Sequence, residues 1–431
     1  MHWQGGTACA DITPDAALMA ARQICTIGAW EERALPMTHV RAPLKARVVY
    51  LSTGQCHAAL IGWDGLGDAI GMADRLRARW RNSPLADTGL FMAASHAHTT
   101  PDTLDLNGKP QPEAYLTQVV DNITATVMQA RATAEPLAKI EWRRHAVDGL
   151  AWNRRPLLKN GQLAVLENPV APEDIADPGV YDNTLTILRL CRPDGTALAR
   201  IAHWTCHGVC MQAGTKISSG FIGTLCTNME TILGAPALFL NGAAGDINPL
   251  KMGRWDDDDK LANALTSIAL NMEQAPASGS LMLANQSLTY AAATTPATRR
   301  QAMPLETKNT SGDPHNRHAG DGWNQFLRAQ SKRVADMPET LDVPVTVLRI
   351  GPLILAGAGG ELFAEFGAAL QKSAAGQVLP VSYVNGYRGY LASQRAYELG
   401  GYETSYAPWC PLAAGQTEKV VAALAKLIEQ A

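Results

Sequence analysis

The sequence predicts an α/β (α+β) protein, with mixed β-sheets flanked by helices in a single catalytic domain. Two observations carry that reading. Short β-branched runs alternate with longer stretches of helical periodicity, and most apolar runs end abruptly in polar residues set among small ones. There is no internal repeat and no low-complexity tract.

The strands predicted in chain order are Ala46–Ser52, Ala58–Trp63, Gly89–Ala94, Leu185–Leu190, Ala197–Ala202, Ala237–Leu240, Ser280–Tyr290, Val343–Ile350, Leu353–Ala358 and Val378–Val384. Helices interleave with them. In Pro112–Ala132 the residues Leu116, Val119, Val120, Ile123 and Val127 recur at helical spacing, behind a proline suited to a first turn. Val420, Val421, Leu424, Leu427 and Ile428 repeat the pattern near the C-terminus. A third helix is expected over Asp257–Glu273, where the acidic run "WDDDDK" reads as a solvated helix start rather than a metal site. Residues 294–322 are polar and rich in Pro, Gly and Asn, and read as a long loop, a candidate lid.

Composition narrows the partners. The 431 residues are 46% hydrophobic and 18% charged, which suits a folded chain, and a net charge of −3 gives no footprint for nucleic acid. No segment reads as a membrane span or an export signal, and the eight cysteines include no CxxC pair. Reduced, buried thiols and a cytoplasmic location are the expectation.

Six places carry chemistry. "SHAHTTP" follows a strand-like run and puts His96 and His98 on one face, where they could grip a metal, share a proton, or be two surface histidines. "IAHWTCHGV" ends a second run in His203 and His207; four apart, they also suit a helix, although the residues before them alternate as a strand does. "NGAAGDINP" presents Asn241, Asp246 and Asn248, or serves as a turn that needs small residues. "LILAGAGGELF" places Glu361 after a glycine turn, as a ligand or as a helix-start carboxylate. "VSYVNGYRGYL" offers Tyr387, Arg388 and Tyr390, and "LAWNRRP" offers Asn153 and Arg154. Polar groups at several strand ends suggest one pocket built on a sheet edge. Two histidines and a carboxylate form an ordinary ligand set for catalytic zinc. Composition and spacing alone reach no further than a candidate metal-dependent hydrolase.

The order of motifs resembles the neutral/alkaline (non-lysosomal) ceramidase family over its catalytic domain. The matching blocks are "DITP" (11–14), "HVRAPLKARVVYL" (39–51), "SHAHTTP" (95–101), "WNRR" (152–155), "CHGV" (206–209), "NGAAGDINP" (241–249), "GGELF" (359–363) and "NGYRGYLASQRAYELGGYE" (385–403). The resemblance implies an amidase whose Zn2+ is held by His96, His207, Glu361 and Tyr390. It gives catalytic roles to His98, Arg154 and Tyr402, which would handle the substrate carbonyl or a proton. The sequence departs from the family at Gly208-Val209, where Pro-Thr is usual, at Ala97, Thr99 and Thr100, and at Gly220, usually acidic or asparagine. The sequence given ends at Ala431, and no immunoglobulin-like C-terminal domain is expected. The expectation is therefore a catalytic-domain-only relative over residues 1–431, cleaving a small soluble N-acyl compound, with no nucleic-acid or membrane partner. The runners-up are a zinc esterase or lactonase on the same scaffold and an inactive metal-binding homologue; a homo-oligomer is left open.

Overall fold

Alternation along each strand sorts its side chains between two cores, and the fold follows from that sorting. The computed structural model describes residues 3–27, 36–106, 111–164, 170–211, 215–272, 277–280, 282–296, 335–373, 376–405 and 407–431. Apart from its first three residues, the predicted 294–322 loop lies outside these.

The first sheet holds β1 (Gln4–Asp11), β2 (Lys45–Ser52), β3 (His57–Trp63) and β4 (Thr88–Ala94), in the order β4-β3-β2-β1, with Glu135–Pro136 at its far edge. Its helices are α1 (Met72–Trp80) and α2 (Glu113–Ala132). The second sheet holds β5 (Lys139–Ala146), β6 (Thr184–Cys191), β7 (Ala197–Trp204) and β8 (Ala237–Asn241), in the order β8-β7-β6-β5, with Ala277–Gly279 beyond β5. Helices α3 (Gly220–Leu233) and α4 (Trp255–Asn271) belong to it. The third sheet runs β9 (Leu283–Ala293), β10 (Thr340–Ile350), β11 (Leu353–Ala358) and β12 (Val378–Val381), with α5 (Ala364–Ser373) and α6 (Gln416–Gln430). Among the described residues, no sheet closes into a barrel.

In β3, Ala59, Ile61 and Trp63 pack toward α1 and α2, while Ala58 and Leu60 face the other way. Strand β8 repeats this: Ala237 and Phe239 face the helices of its own sheet, and Leu238 and Leu240 face away. So does β11, with Ile354 and Ala356 on one side and Leu353 and Leu355 on the other. The residues facing away from the helices in all three sheets form one shared cluster. Each leucine or isoleucine fully buried there contributes about 1.5–3 kcal/mol. Strands β3, β8 and β11 are thus covered on both faces, which is why they read as nearly continuous apolar runs.

One feature of the topology positions the site. Each of these three sheets contains one parallel pair among otherwise antiparallel strands: β3 with β4, β7 with β8, and β11 with β12. The loops leaving the carboxyl ends of these strands carry most of the polar residues singled out in the sequence.

The predicted strands are all present, most within three residues of their expected ends. Strand β12 stops at Val381 because the chain turns out of the sheet at Ser382. The acidic run departs from expectation. Asp257 and Asp258 are buried rather than solvated, and the Asp258 Oδ1 accepts a hydrogen bond from the Phe221 N–H at 3.0 Å, tying α4 to the start of α3. Asp259, one residue on, pairs with Arg41 at the surface.

Candidate metal centre

Strand β4 ends at Ala94, and the next residues bring His96 in on a left-handed backbone with φ +59°. Its Nδ1 lies 2.5 Å from the Leu66 carbonyl, so that nitrogen carries the proton and the Nε2 lone pair points inward. After β7, His207 is fixed in the same way, with Nδ1 3.1 Å from the Ala244 carbonyl. The two Nε2 atoms then face each other at 3.0 Å, and His98 adds a third Nε2 at 3.3 Å from that of His96. Glu361, after β11, brings its Oε2 to 3.5 Å from His96 Nε2 and 3.6 Å from His207 Nε2.

Two inward lone pairs at this separation repel unless a cation or a proton lies between them. Burial makes the proton unfavourable: it pushes the His96 imidazole down to about 3 and His207 well below the ordinary histidine range. A metal ion satisfies the same atoms. Among the described residues, His96, His98 and His207 form the one group whose ligand atoms converge closely enough to hold an ion. Without an ion, burial raises the Glu361 carboxyl to about 7, a cost that a cation beside it would offset. His96, His207 and Glu361 are all at most 2% exposed, and His98 is the more accessible member.

Close backbone approach makes this convergence feasible. A Cβ on Gly208 would meet the Ser95 carbonyl oxygen at 2.3 Å, so in this chain's backbone the position after His207 has no room for a side chain where the two histidine loops meet. Gly245 does the same against the backbone of Glu361, where a Cβ would come within 2.5 Å of the carbonyl oxygen.

Beside the histidines lies a buried charge network. Arg154 donates from Nε to Glu403 at 2.8 Å, from Nη1 to Asn248 at 3.0 Å, and from Nη2 to the Gly245 carbonyl at 2.8 Å and the Tyr390 hydroxyl at 2.9 Å. Arg155 also pairs with Glu403. Burial alone would raise the Glu403 carboxyl, but Arg155 and Arg154 outweigh it and hold the group below the ordinary carboxylate range. The Tyr390 hydroxyl is pushed up by burial against the opposing pull of Arg154.

The structure brings His96, His98, His207 and Glu361 together, with Arg154 and Tyr390 alongside. Tyr402 stands at the edge, its ring 6.0 Å from that of Tyr390 and stacked on Trp409 at 5.3 Å. The hydroxyls on Glu361 are those of Tyr387 and Tyr383, at 2.5 and 3.5 Å. Several other singled-out residues are structural. His203 binds the Pro380 carbonyl, Asn241 accepts from the Cys206 N–H, and Asp246 caps α5 through the Ala364 N–H. Arg388 donates to the Asp342 carbonyl at the surface.

By sequence, no protein-family model and no curated protein matches the chain. Solved structures that resemble it along its whole length include two ceramidases. One is neutral ceramidase from Pseudomonas aeruginosa, with a TM-score of 0.74 and 19% identity over 100% of this chain and 75% of that one. This chain has the neutral ceramidase fold. The other is a ceramidase complexed with C2, at a TM-score of 0.75 and 18% identity, covering 100% of this chain and 76% of that one. The mixed sheets predicted from the sequence are those of the ceramidase fold. Among the described residues, no helix is long and apolar enough to cross a membrane.

The sequence reading missed Tyr383 and Glu403 and gave Tyr387 no role. Glu403 lies in the quoted block "GGYE", and its signal was a carboxylate next to a residue already singled out. Tyr383 carried no signal, since its contribution depends on a backbone φ of +63°.

Proposed function

We propose that this chain is a zinc-dependent hydrolase that cleaves the amide bond of a small, soluble N-acyl compound. The observation that carries the proposal is the convergence of three imidazole Nε2 atoms and one carboxylate oxygen, with two of the imidazoles locked in the tautomer that presents a lone pair. His96, His207 and Glu361 would hold the metal, with Tyr390 beside them. Zinc in such a set supplies a Lewis acid for the carbonyl and brings the pKa of water to about 7.

The protein's own groups supply the rest. Amide hydrolysis adds water across the C–N bond, so a proton must reach the leaving nitrogen while negative charge develops on the carbonyl oxygen. His98 is the most accessible of the three imidazoles and is the proposed carrier of that proton. Arg154 is held rigid by its partners and supplies a fixed positive charge for the developing oxyanion. Tyr402, whose ring lies beside that of Tyr390, is the proposed donor to the substrate.

Elemental analysis of the purified protein, followed by turnover of matched N-acyl amides, esters, lactones and ceramide in mixed micelles, tests the proposal. The expected result is near-stoichiometric zinc with soluble amides turned over fastest. No metal after reconstitution would overturn the reading, and faster cleavage of micellar ceramide would overturn the soluble substrate. Gly208→Ala is expected to force the histidine loops apart and weaken zinc binding about 10–100-fold, as loss of a supporting interaction does. Competition with a chelator measures it.

A further inference from the structure

Residues 382–387 leave β12 and touch all three sheets within four residues. The Ser382 N–H donates to the Asn241 carbonyl on β8 at 3.0 Å, and the Val384 N–H to the Ala358 carbonyl on β11 at 3.0 Å. The Asn385 N–H reaches the Met92 carbonyl on β4 at 2.9 Å. The Asn385 side chain adds three more ties: Oδ1 accepts from the Met92 N–H at 2.9 Å, and Nδ2 donates to the Leu90 carbonyl at 2.8 Å and to Thr346 Oγ1 at 3.0 Å. Tyr383 and Asn385 both adopt positive φ, +63° and +56°. A tyrosine persists there only where its surroundings over-determine it.

The strained backbone aims two rings at the centre. Tyr383 stacks on His96 with centroids 4.2 Å apart and planes 8° from parallel. Tyr387 donates its hydroxyl to Glu361 Oε1 at 2.5 Å. The other carboxylate oxygen, Oε2, is the one that faces His96 and His207.

We propose that Tyr387 is a positioning residue that occupies Oε1 of Glu361, so that the carboxylate meets a metal ion through Oε2 alone, and that the Asn385 ties hold the loop that delivers it. This rests on reading the cluster as a metal centre. A carboxylate free to swing offers either oxygen or both, and so forfeits the preorganisation that makes binding tight. The hydroxyl therefore acts on metal affinity, not on folding.

Chelator competition for zinc on the full chain, with melting of the metal-free protein, tests this on wild type, Tyr387→Phe and Asn385→Gly. Tyr387→Phe is expected to bind zinc about 10–100-fold more weakly than wild type, while the metal-free melting temperature stays close to that of wild type. Asn385→Gly keeps the hydroxyl and relieves the backbone, yet frees the loop; it is expected to weaken zinc binding in the same direction and covers the case in which Tyr387→Phe fails to fold. A wild type that binds zinc beside variants that bind it equally well would overturn the proposal and leave the metal centre standing. A wild type that binds no zinc would instead overturn the metal-centre reading on which it rests.

Discussion

Replacing His207 with alanine is expected to strip the protein of bound zinc and to lower amide hydrolysis by about 1,000-fold or more, the scale set by combined loss of electrostatic and acid–base assistance. His207 is the residue of choice because it serves nothing else: its Nδ1 binds one backbone carbonyl and its Nε2 faces the cluster. It is 1% exposed, and its removal leaves a small buried cavity near glycine- and alanine-rich loops rather than an unpaired charge. The fold should therefore survive, which circular dichroism of the variant checks. Elemental analysis of wild type and variant purified side by side gives the metal content. A folded variant with full zinc and full activity would show that the three nitrogens are a packing feature and that the reaction, if any, is carried elsewhere.

The fold was legible wherever burial on both faces leaves an apolar signature. Val48–Leu51 and Leu353–Ala358 are strands because nearly every side chain is covered, by helices on one side and by the shared core on the other. The strands that escaped the reading lack that signature. Strand β5 has the sequence KIEWRRHA, in which Ile140 and Trp142 reach the shared core while charged residues fill the other face, and its pairing with β6 along its whole length decides the matter. Strand β1, QGGTACAD, has low strand propensity and forms because β2 offers an edge along its full length. Helix α3 begins at Gly220, whose φ of +62° no helix-start rule would propose.

The site divides in the same way. His96, His207 and Glu361 were visible because each follows a buried parallel strand, and such strand ends converge in this class of fold. That His98 also brings its Nε2 into the cluster was less predictable. Period-two reasoning places its side chain on the same face as His96, but the positive φ of His96 breaks the strand between them, and the meeting results from a turn. The arginine network was half visible. Two adjacent arginines are by themselves more often a solvated pair, and only a carboxylate 249 residues after Arg154 makes Arg154 and Arg155 a buried one.

That carboxylate is the last point at which the fold and the proposed chemistry meet, and its removal should be costly. Glu403→Ala is expected to destabilise the protein by about 3–5 kcal/mol, the range for breaking a buried ion pair and leaving its partner uncompensated. Here two guanidinium groups lose their shared partner, with side chains only 4% and 7% exposed. The remaining acceptors, Asn248, Tyr390 and the Gly245, Ala396 and Gly400 carbonyls, are all neutral. The pH dependence carries the same signature. The folded-state pKa of Glu403 lies below its ordinary value, so its contribution is fully present above about pH 4.3 and is lost as pH falls through the depressed value. The stability gap between wild type and variant should accordingly be flat near neutrality and close on acidification, as urea titrations at several pH values will show. A gap that stayed constant down to pH 3 would mean that Glu403 stabilises through packing alone. Arg154 would then owe its position to Asn248 and the Gly245 carbonyl, and the two arginines would share no charge-based coupling to the centre.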